Sequence, residues 1–247
     1  MKSASENVHH SAPLAILVNG PSSSGKSTLC NALQQRLTSL SAGDLDVAFA
    51  RVAFDDFLLL MSEKLYPISF VRLQGGDLTT LVSRTPHDGL AGWEYIDDSD
   101  AEGKHGGSPR LRLALNPHGR RLLCGVHRSW GVHLELGTNL IIDHFLQDEA
   151  WSKEVIDVLQ EAGARIFFVG VFCSVEEMER RESSRADGGV EGRPLGLARR
   201  SDELCHSHKL DYHVTVTTDR QTTAESVDAV LAALKDVGFL ELRGQFT

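Results

Sequence analysis

No apolar run in this 247-residue sequence approaches the roughly 20 residues that span a bilayer. Its opening MKSASENVHHSAP has neither the apolar core nor the cleavage pattern of a signal peptide. Both absences point to a soluble, cytoplasmic protein. Excess positive charge is missing too. The formal charge is −9, with acids scattered and no basic cluster, which disfavours nucleic acid and anionic membranes as main partners and leaves small molecules as the expected substrates. Cysteine is sparse: Cys30, Cys124, Cys173 and Cys205 stand apart in or beside apolar segments, with no CxxC pair and no metal-ligand spacing. They read as buried, reduced thiols. Internal repeats and compositional boundaries are also absent, so the 41% apolar content is expected to fill one core. That core belongs to a single domain over residues 13–247, preceded by a flexible segment, 1–12.

What is present is an alternation. Strand-like runs at Leu14 to Asn19, Val47 to Phe54, Asn139 to Asp143, Ala164 to Phe172 and Tyr212 to Thr217 are separated by helical patterns. This predicts an α/β protein with a five-stranded parallel sheet and helices on both faces. The first helix should start at Lys26 and turn Leu29, Leu33 and Leu37 inward. Others are expected near 117–136, 149–162, 174–187, 194–207 and 222–236. In EAWSKEVIDVLQEAG, Trp151, Val155, Val158 and Leu159 share a face, and Gly163 supplies the left-handed stop. Two segments break the alternation. Residues 63–116 are polar, glycine-rich and too long for a simple connection, so they are expected to form a substrate-side insertion or a disordered flap. Residues 186–196, ADGGVEGRPLG, read as a lid between two helices.

The strongest motif lies between the first strand and the first helix. In GPSSSGKST, Gly20 is followed by four residues and then by Gly25, Lys26 and Ser27, a match to the Walker A pattern GxxxxGK[ST] in the strand–loop–helix context that the pattern requires. Gly20 and Gly25 permit backbone angles that wrap amides around phosphate, and the helix N-terminus adds partial positive charge. Ser22, Ser23 and Ser24 supply those amides, and Pro21, which has no N–H, belongs to the same nucleotide-binding loop. Lys26 should reach the β- and γ-phosphates of ATP, Ser27 should ligate magnesium, and Thr28 is an auxiliary donor. The chain has no NKxD tetrapeptide, which disfavours a guanine-specific switch. A motor would need partner-supplied arginines and a longer chain, whereas this chain carries arginines in its own lid. A kinase is the leading class.

In open α/β sheets the ligand lies beyond the carboxyl ends of the strands. Asp55 directly follows the second strand, where it can bind an acceptor hydroxyl and take its proton; the alternative is a helix cap for DFLLLM, and Asp56 is the fallback base. Asp143 ends LIID on the third strand, the position of a magnesium-holding acid. His144 beside it is a possible substrate contact. On the helix EEMERRESSRADGG, Arg181 and Arg185 lie four apart and share a face, so they can close on one anion. Glu177 to Arg181 equally has the spacing of an ordinary solvated helix face. Arg193 is a third lid candidate. Thr217, Thr218 and Asp219 leave the last strand where an adenine-contacting loop, or a plain helix-capping turn, would lie.

These segments resemble the chloramphenicol phosphotransferase family of P-loop kinases. ILVNGPSSSGKST looks like that family's strand and phosphate loop, FDDFLLLM is similar to its segment after strand two, LIIDHFL to that after strand three, and RIFFVGVFCSVEEMERRESSRADGG to its fourth strand and arginine-bearing helix. The resemblance implies a three-layer P-loop kinase fold, ATP and magnesium as cofactors, Asp55 as general base, Asp143 as a matching acid, and Arg181 with Arg185 as lid arginines. Three departures stand out. Gly188 and Gly189 occupy the place where the family has another arginine, His144 replaces the family's second acid, and the 63–116 insertion is longer. The acceptor is therefore a small-molecule hydroxyl of open identity. A kinase of a metabolite, nucleoside or sugar is the alternative, a nucleotide-gated regulatory protein is another, and an ATP-dependent ligase finds least support.

Overall fold

The computed structural model of the chain describes residues 12–40, 49–60, 92–97, 110–187 and 195–239. The expected flexible start up to residue 11, most of the 63–116 insertion, and the middle of the lid, including Arg193, lie outside the described residues.

Strand β1, Leu14–Asn19, is buried at every position, which marks a central strand covered on both faces rather than an amphipathic edge. It pairs in parallel with β5, Asn139–His144, and β6, Arg165–Phe172. Strands β2, Phe49–Ala53, and β7, Val214–Thr217, complete a parallel sheet of order β2-β5-β1-β6-β7. Parallel neighbours need crossovers, and helices supply them: α1, Lys26–Leu40; α2, Pro117–Glu135; α3, Glu149–Glu161; α4, Val175–Asp187; α5, Leu197–Cys205; and α6, Thr223–Asp236. The five expected strands and six expected helices all form, with shifted ends. Strand β2 stops at Ala53 because Phe54–Leu60 winds into a 3-10 turn, started by an Asp56 carboxylate that accepts the Ala53 amide at 2.9 Å. Tyr212 precedes β7 instead of opening it, because its ring packs against Phe168 on β6.

Successive side chains of β1 leave on opposite faces. Leu14, Ile16 and Val18 meet Leu29, Leu33 and Leu37 of α1 and Val230 and Leu234 of α6. Ala15 and Leu17 meet Trp130 and Leu134 of α2 and Val155 and Leu159 of α3. Each fully buried Leu, Ile or Val contributes about 1.5–3 kcal/mol, so both helical layers are held mainly by such contacts. The helix ends are specified locally. Asn116 accepts the amides of His118 and Gly119 at 2.9 and 3.0 Å ahead of Pro117 in the first turn of α2. Beyond α3, Gly163 adopts φ 69° as the expected stop.

The described part of the insertion is an antiparallel hairpin, β3 (Trp93–Asp97) with β4 (Leu111–Leu115). Trp93 and Leu113 join Phe54, Phe57, Leu123 and Trp151 in a separate apolar cluster that seats the hairpin beyond the carboxyl end of β2. Its other flank meets α5, where the Leu111 amide donates to the Gly196 carbonyl at 3.1 Å and Arg110 pairs with Glu203.

Candidate active site

The phosphate loop starts where β1 runs out at Asn19. Ser23 (φ 62°) and Gly25 (φ 94°) both occupy the left-handed region and fold the loop over the start of α1. A side chain on Gly20 would put its Cβ 2.5 Å from the Val171 carbonyl oxygen, so the loop can lie this close to β6 only with glycine there. Lys26 Nζ donates to the Pro21 carbonyl at 2.8 Å, and the Oγ atoms of Ser22 and Ser24 are buried without a hydrogen-bond partner. A cationic side chain, orphaned hydroxyls and a helix N-terminus in one loop fit an anion as ligand.

Ser22, Ser23, Gly25, Lys26, Ser27 and Thr28 line one side of a pocket at the carboxyl edge of the sheet. Gly20, Pro21 and Ser24 form the back of the loop. Asp55 and Asp143 line the same pocket, so the residues singled out for the donor and for the base share a cavity although 29 positions of sequence separate Lys26 from Asp55. Asp56 makes a capping bond of the 3-10 turn by accepting the Ala53 amide. Asp143 is 6% exposed and lies 3.8 Å from the Arg51 guanidinium of β2. The Ser27 hydroxyl and the Asp143 carboxylate are hard oxygen donors of the kind magnesium takes. Among the described residues no group of three or more His, Cys, Asp or Glu could hold a metal. A magnesium ion here would therefore draw its remaining ligands from phosphate oxygens and water.

Arg181 reaches the phosphate loop from α4. Its guanidinium donates to the Glu177 carboxylate at 2.8 Å, to Thr218 Oγ1 at 3.1 Å, to the Thr218 carbonyl at 3.2 Å and to the Ser23 carbonyl at 3.4 Å. Thr218 in turn donates to the Ser24 carbonyl at 2.5 Å. Arg181 thus braces the loop against the turn after β7 and is not among the pocket-lining residues. Arg180 and Arg181 together hold the half-buried Glu177 carboxyl down at about 2. Arg185 lies one turn further along α4. Asp219 accepts the Ser174 amide at 3.1 Å and so ties the same turn to the start of α4.

Several neighbours of the phosphate loop and the pocket carry no sequence signal. Asn19, fully buried, donates through Nδ2 to the Cys205 carbonyl at 2.7 Å and to Tyr212 Oη at 2.8 Å, and accepts the Leu146 amide at 2.9 Å through Oδ1. Tyr212 Oη also meets His206 and His208 at 2.6 and 2.9 Å. Burial, then His208 and Lys26, lower His206 to about 4, and burial alone lowers His208. The Ser22 amide donates to Ser201 Oγ of α5 at 2.8 Å. The buried Glu182 of α4 accepts the amides of Gly196 and Ala198 at 2.8 and 2.9 Å, which fixes the start of α5; burial raises its carboxyl above the usual range. On the same face of the sheet as the Asn19 side chain, Arg120, Glu154, His127 and His144 form a chain of contacts of 2.6, 2.6 and 3.0 Å. Partners so far apart in sequence offer no spacing to read; Asn19 in NGPSSSGKS offered only its position beside the loop.

Around the acids, Phe54, Tyr95, Leu111, Leu113, Phe145, Leu197 and Leu204 give the pocket an apolar wall, with Arg112 on the hairpin. Among solved structures, the chain is similar to a sugar kinase from Janibacter (15% identity, 90% of this chain and 95% of that one, TM-score 0.53). It is likewise similar to the Mycobacterium tuberculosis APS kinase determined with AMPPNP and APS (14%, 91% and 98%, TM-score 0.52). A gluconokinase from Sinorhizobium meliloti matches at 15% identity over 92% and 95% of the two chains, with a TM-score of 0.50. No curated protein matches the sequence significantly. The sequence profile of chloramphenicol phosphotransferase-like proteins matches residues 14–235, a span that takes in the phosphate loop, both acids and α4. With the P-loop kinase fold of these neighbours and that match over nearly its whole length, the chain belongs to the chloramphenicol phosphotransferase-like family.

Proposed function

We propose that the chain transfers the γ-phosphoryl group of ATP to a hydroxyl of a small molecule. The observation that carries this reading is the shared pocket, which Lys26, Ser27, Asp55 and Asp143 all line. In this reading the loop amides and Lys26 hold the phosphates. The acceptor oxygen bonds to the γ-phosphorus, the bond from that phosphorus to the oxygen it shares with ADP breaks, and the hydroxyl proton passes to the Asp55 carboxylate. A carboxylate is a weak base, but transfer through a loose transition state depends on orientation more than on early proton removal. Magnesium, held by Ser27 and Asp143, would supply neutralising charge on the phosphates. Arg181 acts by stiffening the loop, and Arg185, on the same face of α4, is assigned the closing, charge-neutralising role. Reliance on ATP suits a cytoplasmic enzyme.

The acceptor side supports a substrate with an apolar or aromatic body, since Phe54, Tyr95, Leu111, Leu113 and Phe145 present few polar atoms to satisfy a polyhydroxylated ring. The fold alone does not select an acceptor: its neighbours include kinases described for sugars, gluconate and APS. Asp55→Ala is expected to lower phosphoryl transfer by about 10²–10⁴-fold while ATP-analogue affinity, measured by calorimetry, stays near wild type. Transfer that survives the substitution removes Asp55 from the base role. Slow ATP turnover that no acceptor accelerates removes the kinase reading itself.

A further inference from the structure

One side chain joins the phosphate loop to two segments of the acceptor wall. Pairing between β1 and β5 ends at the register position of Asn19 and His144. Beyond it the Asn19 side chain takes over, because its Oδ1 accepts the Leu146 amide at 2.9 Å. Its Nδ2 donates to the Cys205 carbonyl at the end of α5 at 2.7 Å and to Tyr212 Oη at 2.8 Å, and lies 3.1 Å from His208 Nε2. Asn19 is fully buried, so a partner lost here is not replaced by water. The residues it holds adjoin the pocket. Phe145 precedes Leu146 and Leu204 precedes Cys205, and both line the cavity together with Ser22 and Ser23 of the loop that follows Asn19. A second bond, from the Ser22 amide to Ser201 Oγ at 2.8 Å, also ties the loop to α5.

We propose that Asn19 is a positioning residue through which nucleotide held in the phosphate loop stiffens the acceptor wall. Phosphates gripped by the loop amides fix the backbone that carries Asn19, and the Asn19 side chain then restrains Leu146 on one side and the end of α5 on the other. Order imposed by the first ligand does not have to be imposed again by the second, so two sites can be coupled without a change of shape. The acceptor then binds more tightly to the nucleotide-loaded chain than to the empty one, and by linkage the reverse holds equally. The kinase reading above supplies the identity of the two ligands; the role of Asn19 can fail while that reading stands.

Hydrogen exchange of single amides, followed by NMR on the full chain with and without AMPPNP and magnesium, tests this without an acceptor, since a bonded amide exchanges only when its bond opens. Three amides report. Leu146 donates to Asn19 itself, Ser207 to the Leu204 carbonyl at 3.0 Å, and Leu210 to Nδ1 of His208 at 3.2 Å. AMPPNP should slow all three by at least about five-fold. In Asn19→Ala that slowing should vanish at Leu146 and fall at Ser207 and Leu210, where the bond from Ser22 to Ser201 remains. Asn19→Asp keeps an oxygen for the Leu146 amide but has no N–H for Cys205 and Tyr212, so the slowing should persist at Leu146 and fall at the other two. A side chain that only held the fold together would speed exchange equally with and without AMPPNP, and a nucleotide-dependent ratio that stays as in wild type overturns the proposal. Where neither variant folds, Tyr212→Phe keeps the ring and removes the hydroxyl that Asn19 binds; the ratio should fall at Leu210 and hold at Leu146, and an unchanged ratio at Leu210 overturns the proposal. Calorimetry separates the two kinds of failure. AMPPNP that does not bind wild type removes the kinase reading and the proposal with it, whereas AMPPNP that binds and leaves all three amides unaltered overturns the proposal alone.

Discussion

Gly170 of β6 stands in register with Asn19, and the space left by its missing side chain is filled by Tyr212, whose ring carbons lie 2.8 Å from where a Cβ would be. The hydroxyl of that same tyrosine is bound by Asn19, one residue before the phosphate loop. Gly170→Ala should therefore act twice: it crowds the core at a cost of about 1–3 kcal/mol, and it displaces a partner of the residue that anchors the loop. The expected readings are a lower urea midpoint and weaker ATP-analogue binding. An unchanged midpoint would mean that the ring yields freely. Residues of this kind were not legible beforehand. The positions of Asp55 and Asp143 were, because an acid at the carboxyl end of a strand in a parallel sheet has few places to be. Nothing in the sequence links Asn19 to Cys205 or Tyr212, which only the folding of α5 and β7 around the end of β1 brings together.

Among the elements, α5 has the most divided allegiance. Its Ser201 holds the Ser22 amide, Glu203 pairs with Arg110 just before β4, and Leu197, Ser201 and Leu204 line the pocket. Both ends of its approach are held as well, since Glu182 accepts the Gly196 and Ala198 amides. A side chain that orders the loop helps nucleotide binding by reducing what binding must still organise. With a net hydrogen-bond contribution of about 1 kcal/mol, Ser201→Ala is expected to weaken ATP-analogue binding about five-fold, readable by calorimetry. Unaltered affinity would confine Ser201 to a structural role. The helix itself was expected from its pattern, but the hairpin opposite it was not. WEYID and LRLAL are short runs set in polar, glycine-rich sequence, and their pairing depends on Phe54, Phe57, Leu123 and Trp151 from elsewhere in the chain.

For the whole molecule, the buried histidines set the response to acid. His127, His144, His206 and His208 all titrate below the ordinary 6.5 in the folded chain, His206 at about 4, with burial the leading cause throughout. An unfolded chain takes up these protons first. Their contribution to stability is therefore complete above about pH 6.5 and is lost as pH falls towards the folded values, at up to ~1.4 kcal/mol per pH unit for each histidine protonated only when unfolded. Glu182 and Asp202, raised by burial, work in the opposite sense and offset part of that loss as pH drops through their folded values. Urea midpoints measured between about pH 7.5 and pH 5 should fall, by the linkage just given. A flat profile would contradict the buried, neutral state of these rings.

Asn19 is followed by Gly20, a pair in which the side-chain amide is easily attacked by the next backbone nitrogen, releasing ammonia and leaving aspartate or its isomer after hydrolysis. In the folded chain, both ends of that amide are tied down and Gly20 is wedged against Val171. Chemical ageing at this site is thus withheld while the fold is intact and begins on unfolding. A chain that has aged there cannot restore the donors that Cys205 and Tyr212 need, so the residue that secures the phosphate loop also limits how often the protein can be unfolded and recovered whole.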